Sequence, residues 1–147
     1  MMTAHGQGAP KILDEYVMTW TPDIARHFYA AIGPEGREAY QQYYWHLDFW
    51  VPVLSLTLFY ISLLSLAFPT QSRLTWLNLL PIPMWMMDAG ENLNHFMMAR
   101  MYPNLSTFSL SFGPWFTFIK WVLIFSIPIV ALFGFAARAL NRSRTRT

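Results

Sequence analysis

The chain contains no cysteine. Disulfides, Fe–S clusters, thiolate zinc and cysteine nucleophiles are therefore excluded, and the redox compartment is left undetermined. Charge is scarce as well. Only 12% of the residues are charged, where an ordinary soluble domain has about a quarter. The formal net charge of +2 gives no electrostatic reason to expect a nucleic-acid partner. Met1 to Pro10 is small and polar and contains no apolar run, so it does not read as a secretory signal. It is also too poor in arginine for a transit peptide. Gly33-Pro34-Glu35-Gly36 is no phosphate loop, because neither a GxGxxG pattern nor a Walker lysine follows a strand. No Ser/His/Asp set has a nucleophile-elbow context, and no internal repeat is present.

What the chain has instead is apolar and aromatic surface, 54% and 18% of its residues. The expected fold class is all-α, an integral membrane helical bundle of three transmembrane helices preceded by interfacial amphipathic helices. Residues 1–11 are expected to be a disordered N-terminus. Residues 12–47 read as an interfacial amphipathic helical segment. Thr21-Pro22-Asp23 supplies an N-cap hydroxyl, Pro at N1 and an acid in the first turn. Gly33 is a C′ stop and Pro34 opens a second helix. The Tyr40, Tyr43, Tyr44, Trp45 and Trp50 cluster suits the headgroup zone of a bilayer.

Residues 48–138 form the expected three-helix transmembrane domain. Phe49 to Phe68 contains no charge and has the length of about 20 residues that a bilayer requires. Leu74 to Tyr102 is the second span, with Pro81 and Pro83 either kinking it or marking where it begins. The third span lies within Phe112 to Ala137, charged only at Lys120, with Pro128 as a kink. Residues 139–147 form a basic tail. Arg138, Arg142, Arg144 and Arg146 assign the C-terminus to the cytoplasmic or organelle-equivalent side and make a contact for anionic lipid.

The central motif is Asp88-Ala89-Gly90-Glu91-Asn92-Leu93-Asn94-His95. On a helix, Asp88, Glu91, Asn92 and His95 fall at i, i+3, i+4 and i+7, which is one face. Antiparallel spans put Lys120 level with Glu91 to His95, and Asp48 and Arg100 at the outer boundary. The expected buried polar network is therefore Asp48, Asp88, Glu91, Asn92, Asn94, His95, Arg100 and Lys120, with Lys120 facing Glu91. Each unpaired charge at such depth costs about 2.5–3.5 kcal/mol even on the mildest scale.

This stripe admits three readings: structural glue between helices; a metal or tetrapyrrole held by His95, with His46 as a second ligand; or acid–base and proton-transfer chemistry at Asp88 or Glu91. The structural reading requires no cofactor. The methionines around the stripe, Met84, Met86, Met87, Met97, Met98 and Met101, read as pliable packing.

Leu13-Asp14, Thr21-Pro22, Ala31-Ile32-Gly33-Pro34-Glu35-Gly36-Arg37, Tyr40, Asp48, Pro52, Asp88, Glu91-Asn92 and Tyr102-Pro103 form a pattern that spans Leu13 to Lys120. It resembles that of small polytopic membrane proteins, mostly bacterial with some eukaryotic relatives, for which no activity is established. The Gly-x-Glu-Gly-Arg turn and Asp-x-x-Glu-Asn are its specific pieces. The resemblance implies a helical bundle and supplies no chemistry. Members of that group often carry another transmembrane helix before the Leu-Asp segment, where Met1 to Lys11 is short and polar. A lost helix, a partner's helix in its place or a truncated gene model would each account for the difference.

The expected role is an accessory or scaffold subunit of a larger membrane complex, an electron-transfer or photosynthetic one being a candidate. Its expected partners are membrane lipids and other subunits or further copies of itself. The alternative is a small membrane-embedded enzyme or transporter that uses the Asp/Glu/Asn/His/Lys cluster.

Overall fold

The computed structural model describes residues 11–16, 19–48 and 50–144, without the side chains of Asp14, Val51, Pro52 and residues 142–144. The lead-in over 1–10 and Arg146 lie outside the described residues, as do the side chains of Arg142 and Arg144. The α-helices are α1 (Pro22–Ala31), α2 (Gly33–Gln42), α3 (Val51–Ala67), α4 (Pro81–Met101) and α5 (Thr107–Arg144). Single 3-10 turns occupy Leu13–Glu15 and Thr75–Leu79, and a π-helical turn, Tyr43–Asp48, follows α2. Among the described residues there is no strand.

Local chemistry sets the helix ends. Thr21 Oγ1 accepts the Ile24 N–H at 3.3 Å, and Pro22 takes the position where a missing N–H costs nothing. Gly33 has φ of +67°, a conformation that glycine reaches without a Cβ clash, and it turns the chain from α1 into α2. Pro81 and Pro83 both fall in the first turn of α4, so they begin that helix and do not kink it. α5 is longer than expected. Its 38 residues start at Thr107 and carry the helix through Asn141 to Arg144, so most of the expected polar tail is helical.

α4 runs antiparallel to α5. Asn94 lies beside Ser109, Gly90 beside Phe116 and Asp88 beside Lys120, so one sequence descends as the other rises. α3 runs parallel to α5, with Tyr60 opposite Ile124 and Phe68 opposite Gly134. Two helical stretches, Gly33–Ala67 and Thr107–Asn141, are each long and apolar enough to cross a membrane. By the same measure α4 is not, because polar side chains occupy one of its faces.

Two apolar clusters hold the bundle. One joins α3, α4 and α5 through Tyr60, Leu64, Phe68, Met84, Ile127 and Ala131. The other is built largely by the N-terminal segment: Leu13, Trp20, Phe28, Tyr29, Tyr40 and Tyr44 pack on Met98, Ala99 and Leu110. The apolar face of residues 12–47 covers the ends of α4 and α5. The aromatic belt divides accordingly. Tyr40 and Tyr44 are buried in the core, while Tyr43, Trp45 and Trp50 remain exposed.

Pro128 sits inside α5 and has no N–H to give the Ile124 carbonyl, four residues back. The Tyr60 hydroxyl donates to that carbonyl from α3 at 3.1 Å. Tyr60→Phe should therefore lower stability by about 1 kcal/mol. The cost should shrink in a Pro128→Ala background, where a backbone N–H takes over the carbonyl. Thermal unfolding of the four proteins measures this. Equal costs in both backgrounds would show that the freed carbonyl is not what Tyr60 serves.

Candidate functional site

Between the two apolar clusters lies a layer of polar side chains centred on Glu91. Asp88, Glu91, Asn92 and His95 share the buried face of α4, as their spacing requires. Lys120 and Thr117 come from α5, one turn apart and both buried. The Lys120 ammonium is ion-paired with Glu91 Oε2 and lies 3.5 Å from Asp88 Oδ1. The Thr117 hydroxyl donates to Glu91 Oε1 and accepts from the Trp20 indole N–H at 3.0 Å. His95 Nε2 stands 3.7 Å from Glu91 Oε1. Removing a carboxylate and an ammonium from water costs several kcal/mol per ion, and only close pairing with further hydrogen bonds recovers it. Glu91 has both: a cation on one oxygen and a hydroxyl on the other.

The layer continues into the N-terminal cap. The Tyr29 hydroxyl donates to the His95 carbonyl at 3.3 Å and lies 3.4 Å from His95 Nδ1. Burial pushes the Tyr29 phenol well above its ordinary range, and the neighbouring Tyr40 adds to the effect. Tyr29 therefore keeps its proton, and with it this donor role, through neutral pH. Arg37 Nη1 donates to the Tyr29 carbonyl at 2.8 Å, and its guanidinium lies 4.5 Å from the Tyr102 ring centroid. The arginine of the Gly-x-Glu-Gly-Arg turn thus ties α1 and α2 to the end of α4.

The structure brings Asp88, Glu91, His95 and Lys120 together. Asn92 is buried beside them, and neither of its amide atoms is hydrogen-bonded to a protein group. Asn94 turns towards α5 and donates to the Ser109 carbonyl at 3.4 Å. Asp48 is half-buried at the end of the π-turn. Arg100 does not join the layer: it is exposed. Nine residues beyond Glu91 is two and a half turns, which points it the opposite way.

His46 is exposed too, while His95 is fully buried, so a shared ligand role for the pair fails. A tetrapyrrole at His95 does not fit either. The rings of Trp20, Tyr40 and Tyr44 enclose the imidazole at centroid distances of 6.0, 6.0 and 5.1 Å. Nδ1 lies 3.4 Å from the Tyr29 hydroxyl, and Nε2, 3.7 Å from Glu91 Oε1, is buried without a hydrogen bond, so the enclosed imidazole leaves no open side for a macrocycle. Among the described residues no group of three His, Asp or Glu side chains could hold a metal ion.

Sequence reasoning missed Trp20, Tyr29 and Thr117. Thr117 carries a usable signal, since it lies three residues before Lys120 and on the same helical face. Trp20 and Tyr29 carry none, because only the folding back of the N-terminal segment brings them here. Gly113 makes that approach possible. A Cβ there would lie 2.7 Å from the Trp20 ring and collide with the Asn94 amide.

Among the described residues, fold and site together define an all-helical arrangement with two helices long and apolar enough to cross a membrane, enclosing a buried polar layer. No family model, curated sequence or solved structure gives a significant match to the chain.

Lys120→Met removes the buried counter-charge of Glu91 and should destabilise by about 3–5 kcal/mol. Adding Glu91→Gln should recover part of the loss. A Lys120→Met protein that accumulates and melts like the parent would remove the pairing from the account. Thr117→Val deprives both Glu91 and the Trp20 indole of a partner and should cost about 1–3 kcal/mol. Its Trp20 fluorescence should change in the same experiment.

Proposed function

We propose that this chain is a small integral membrane protein with three spans, α3, α4 and α5, serving as an accessory or scaffold subunit of a larger membrane assembly. The observation that carries the reading is an inverted distribution of polarity. Glu91, His95, Thr117 and Lys120 are buried, while Leu66, Leu132 and Phe133 are 64%, 68% and 71% exposed. A bundle folding in water does the reverse. In lipid, burying leucine gains nothing, and packing with polar contacts between helices does the holding.

α4 enters as the middle span for the same reason. Its 21 residues give about 31 Å, close to the hydrocarbon thickness of a bilayer. Its acids face inward, and Ile82, Met86, Leu93 and Met97 face outward. Arg73 and Arg138 mark the end on the cytoplasmic or organelle-equivalent side, and the N-terminal cap lies on the other.

The scaffold role is supported by the internal pairing of the layer's central carboxylate. Glu91 is fully buried and partnered within the chain, and the apolar flanks of α3 and α5 are left for other subunits. The resemblance to small polytopic membrane proteins agrees with a helical bundle and adds no activity. The alternative, an enzyme or transporter, has one observation in its favour. Tyr29, His95, Glu91, Lys120 and Asp88 form a continuous polar series, and the Asp88 side chain keeps 12% of its surface accessible at the end of it.

Extraction in a mild detergent, followed by native sizing and mass spectrometry, should recover the chain in a hetero-complex. A lone or homo-oligomeric species would count against the subunit role. Recovery in the aqueous fraction without detergent would overturn the membrane reading itself.

A further inference from the structure

We propose that a cavity at the arginine-bearing end of the bundle is a binding site for the headgroup of an anionic phospholipid. The inference rests on the membrane reading above. α5 continues to Arg144 while α3 stops at Ala67, so the last turns of α5 have the Pro69–Leu74 loop beside them in place of a helix. A cavity of about 400 Å³ opens there. Its apolar wall includes Phe68, Leu74 and Gly134, and its polar edge includes Gln71, Ser72 and Arg138. α3 and α5 touch tightly at Gly134, where a Cβ would lie 2.7 Å from the Phe68 ring. α3 ends at this contact, and Ala67, Phe68 and Gly134 form part of the cavity wall.

Charge identifies the occupant. No Asp or Glu occurs from Phe49 to Met87, and none occurs after Glu91. This end of the bundle therefore carries Arg73 and Arg138, with Arg142, Arg144 and Arg146 following in the sequence, and no acid to balance them. The opposite end is mixed, with Glu15, Asp23, Glu35, Glu38 and Asp48 among its bases. Arg138 Nη1 donates to the Leu66 carbonyl, which anchors the guanidinium at the cavity edge. A guanidinium carries five N–H donors, so a fork remains for phosphate oxygens.

A free anion would use the arginines and leave the apolar wall wet. A phospholipid uses both, with its phosphate on Arg138, its glycerol and first methylenes against Phe68 and Leu74, and the charge of Arg73 close by, between the lining residues Ser72 and Leu74. Basic pockets between helices on this side of a membrane bind lipid headgroups by the same combination. The position is right as well, because it lies where the apolar lengths of α3 and α5 end.

The test uses the full chain, purified and delipidated in a neutral detergent. Its melting temperature is followed with phosphatidylglycerol, with phosphatidylcholine of the same acyl chains, and with inorganic phosphate. Phosphatidylglycerol should raise the melting temperature more than phosphatidylcholine, and phosphate should have little effect. Arg138→Gln should abolish the difference between the lipids. Arg73→Gln should weaken phosphatidylglycerol binding about fivefold. Arg100→Gln, at the other end, should change neither. If Arg138→Gln does not accumulate, the Arg73→Gln comparison decides.

Equal shifts with the two lipids in the parent would overturn the headgroup site and leave the membrane reading standing. An equal shift with phosphate alone would replace the lipid by a small anion. A chain that needs no detergent and responds to neither lipid would overturn both.

Discussion

Glu91 holds a carboxylate where water does not reach, and the arrangement of the bundle follows from satisfying it. One oxygen takes the Lys120 ammonium and the other takes the Thr117 hydroxyl, so α5 must meet α4 at one register. Sliding α5 by a residue would turn both groups off the shared face, since each residue rotates a helix by about 100°. Apolar packing is more permissive, because leucine and methionine tolerate shifted neighbours. The polar layer therefore specifies the alignment, and the apolar clusters on either side supply packing that any of several alignments could use. A buried ion pair is weak evidence of stability for its own sake. Its value here lies in selecting one arrangement among many.

The N-terminal cap depends on the same carboxylate at one remove. Trp20 reaches Thr117, and Tyr29 reaches His95. The cap thus adds hydrogen-bond partners to the layer as well as covering it. The three aromatic rings around His95 exclude water from that side and fix the imidazole in place.

Much of this was legible in the sequence, and the reason is periodicity. The stripe of Asp88, Glu91, Asn92 and His95 follows from 3.6 residues per turn. Lys120 opposite Glu91 follows from counting along two antiparallel helices of known rise. The helix starts at Thr21 and Gly33 follow from capping and positive φ. What was not legible depends on long-range folding. Nothing local distinguishes a tyrosine that faces headgroups from one that fills a core, so Tyr40 and Tyr44 read as belt residues alongside Tyr43. Trp20 contacts a residue 97 positions away. Arg100 matches the layer in depth, but its rotation of about 180° from Glu91 turns it to the exposed face. His46 and His95 matched in depth alone, and burial separates them.

The order of the chain gives the Lys120 contact a further consequence. Asp88 and Glu91 are synthesised before Lys120, by about 30 residues, and the ribosome releases them in that order. Until α5 emerges, the α3–α4 hairpin carries two acids whose counter-charge does not yet exist. During that interval the acids must be protonated or stay in contact with water. The bundle cannot mature helix by helix. Its middle helix waits for its last one, and the cap that Trp20 anchors, although made first, can dock only after both.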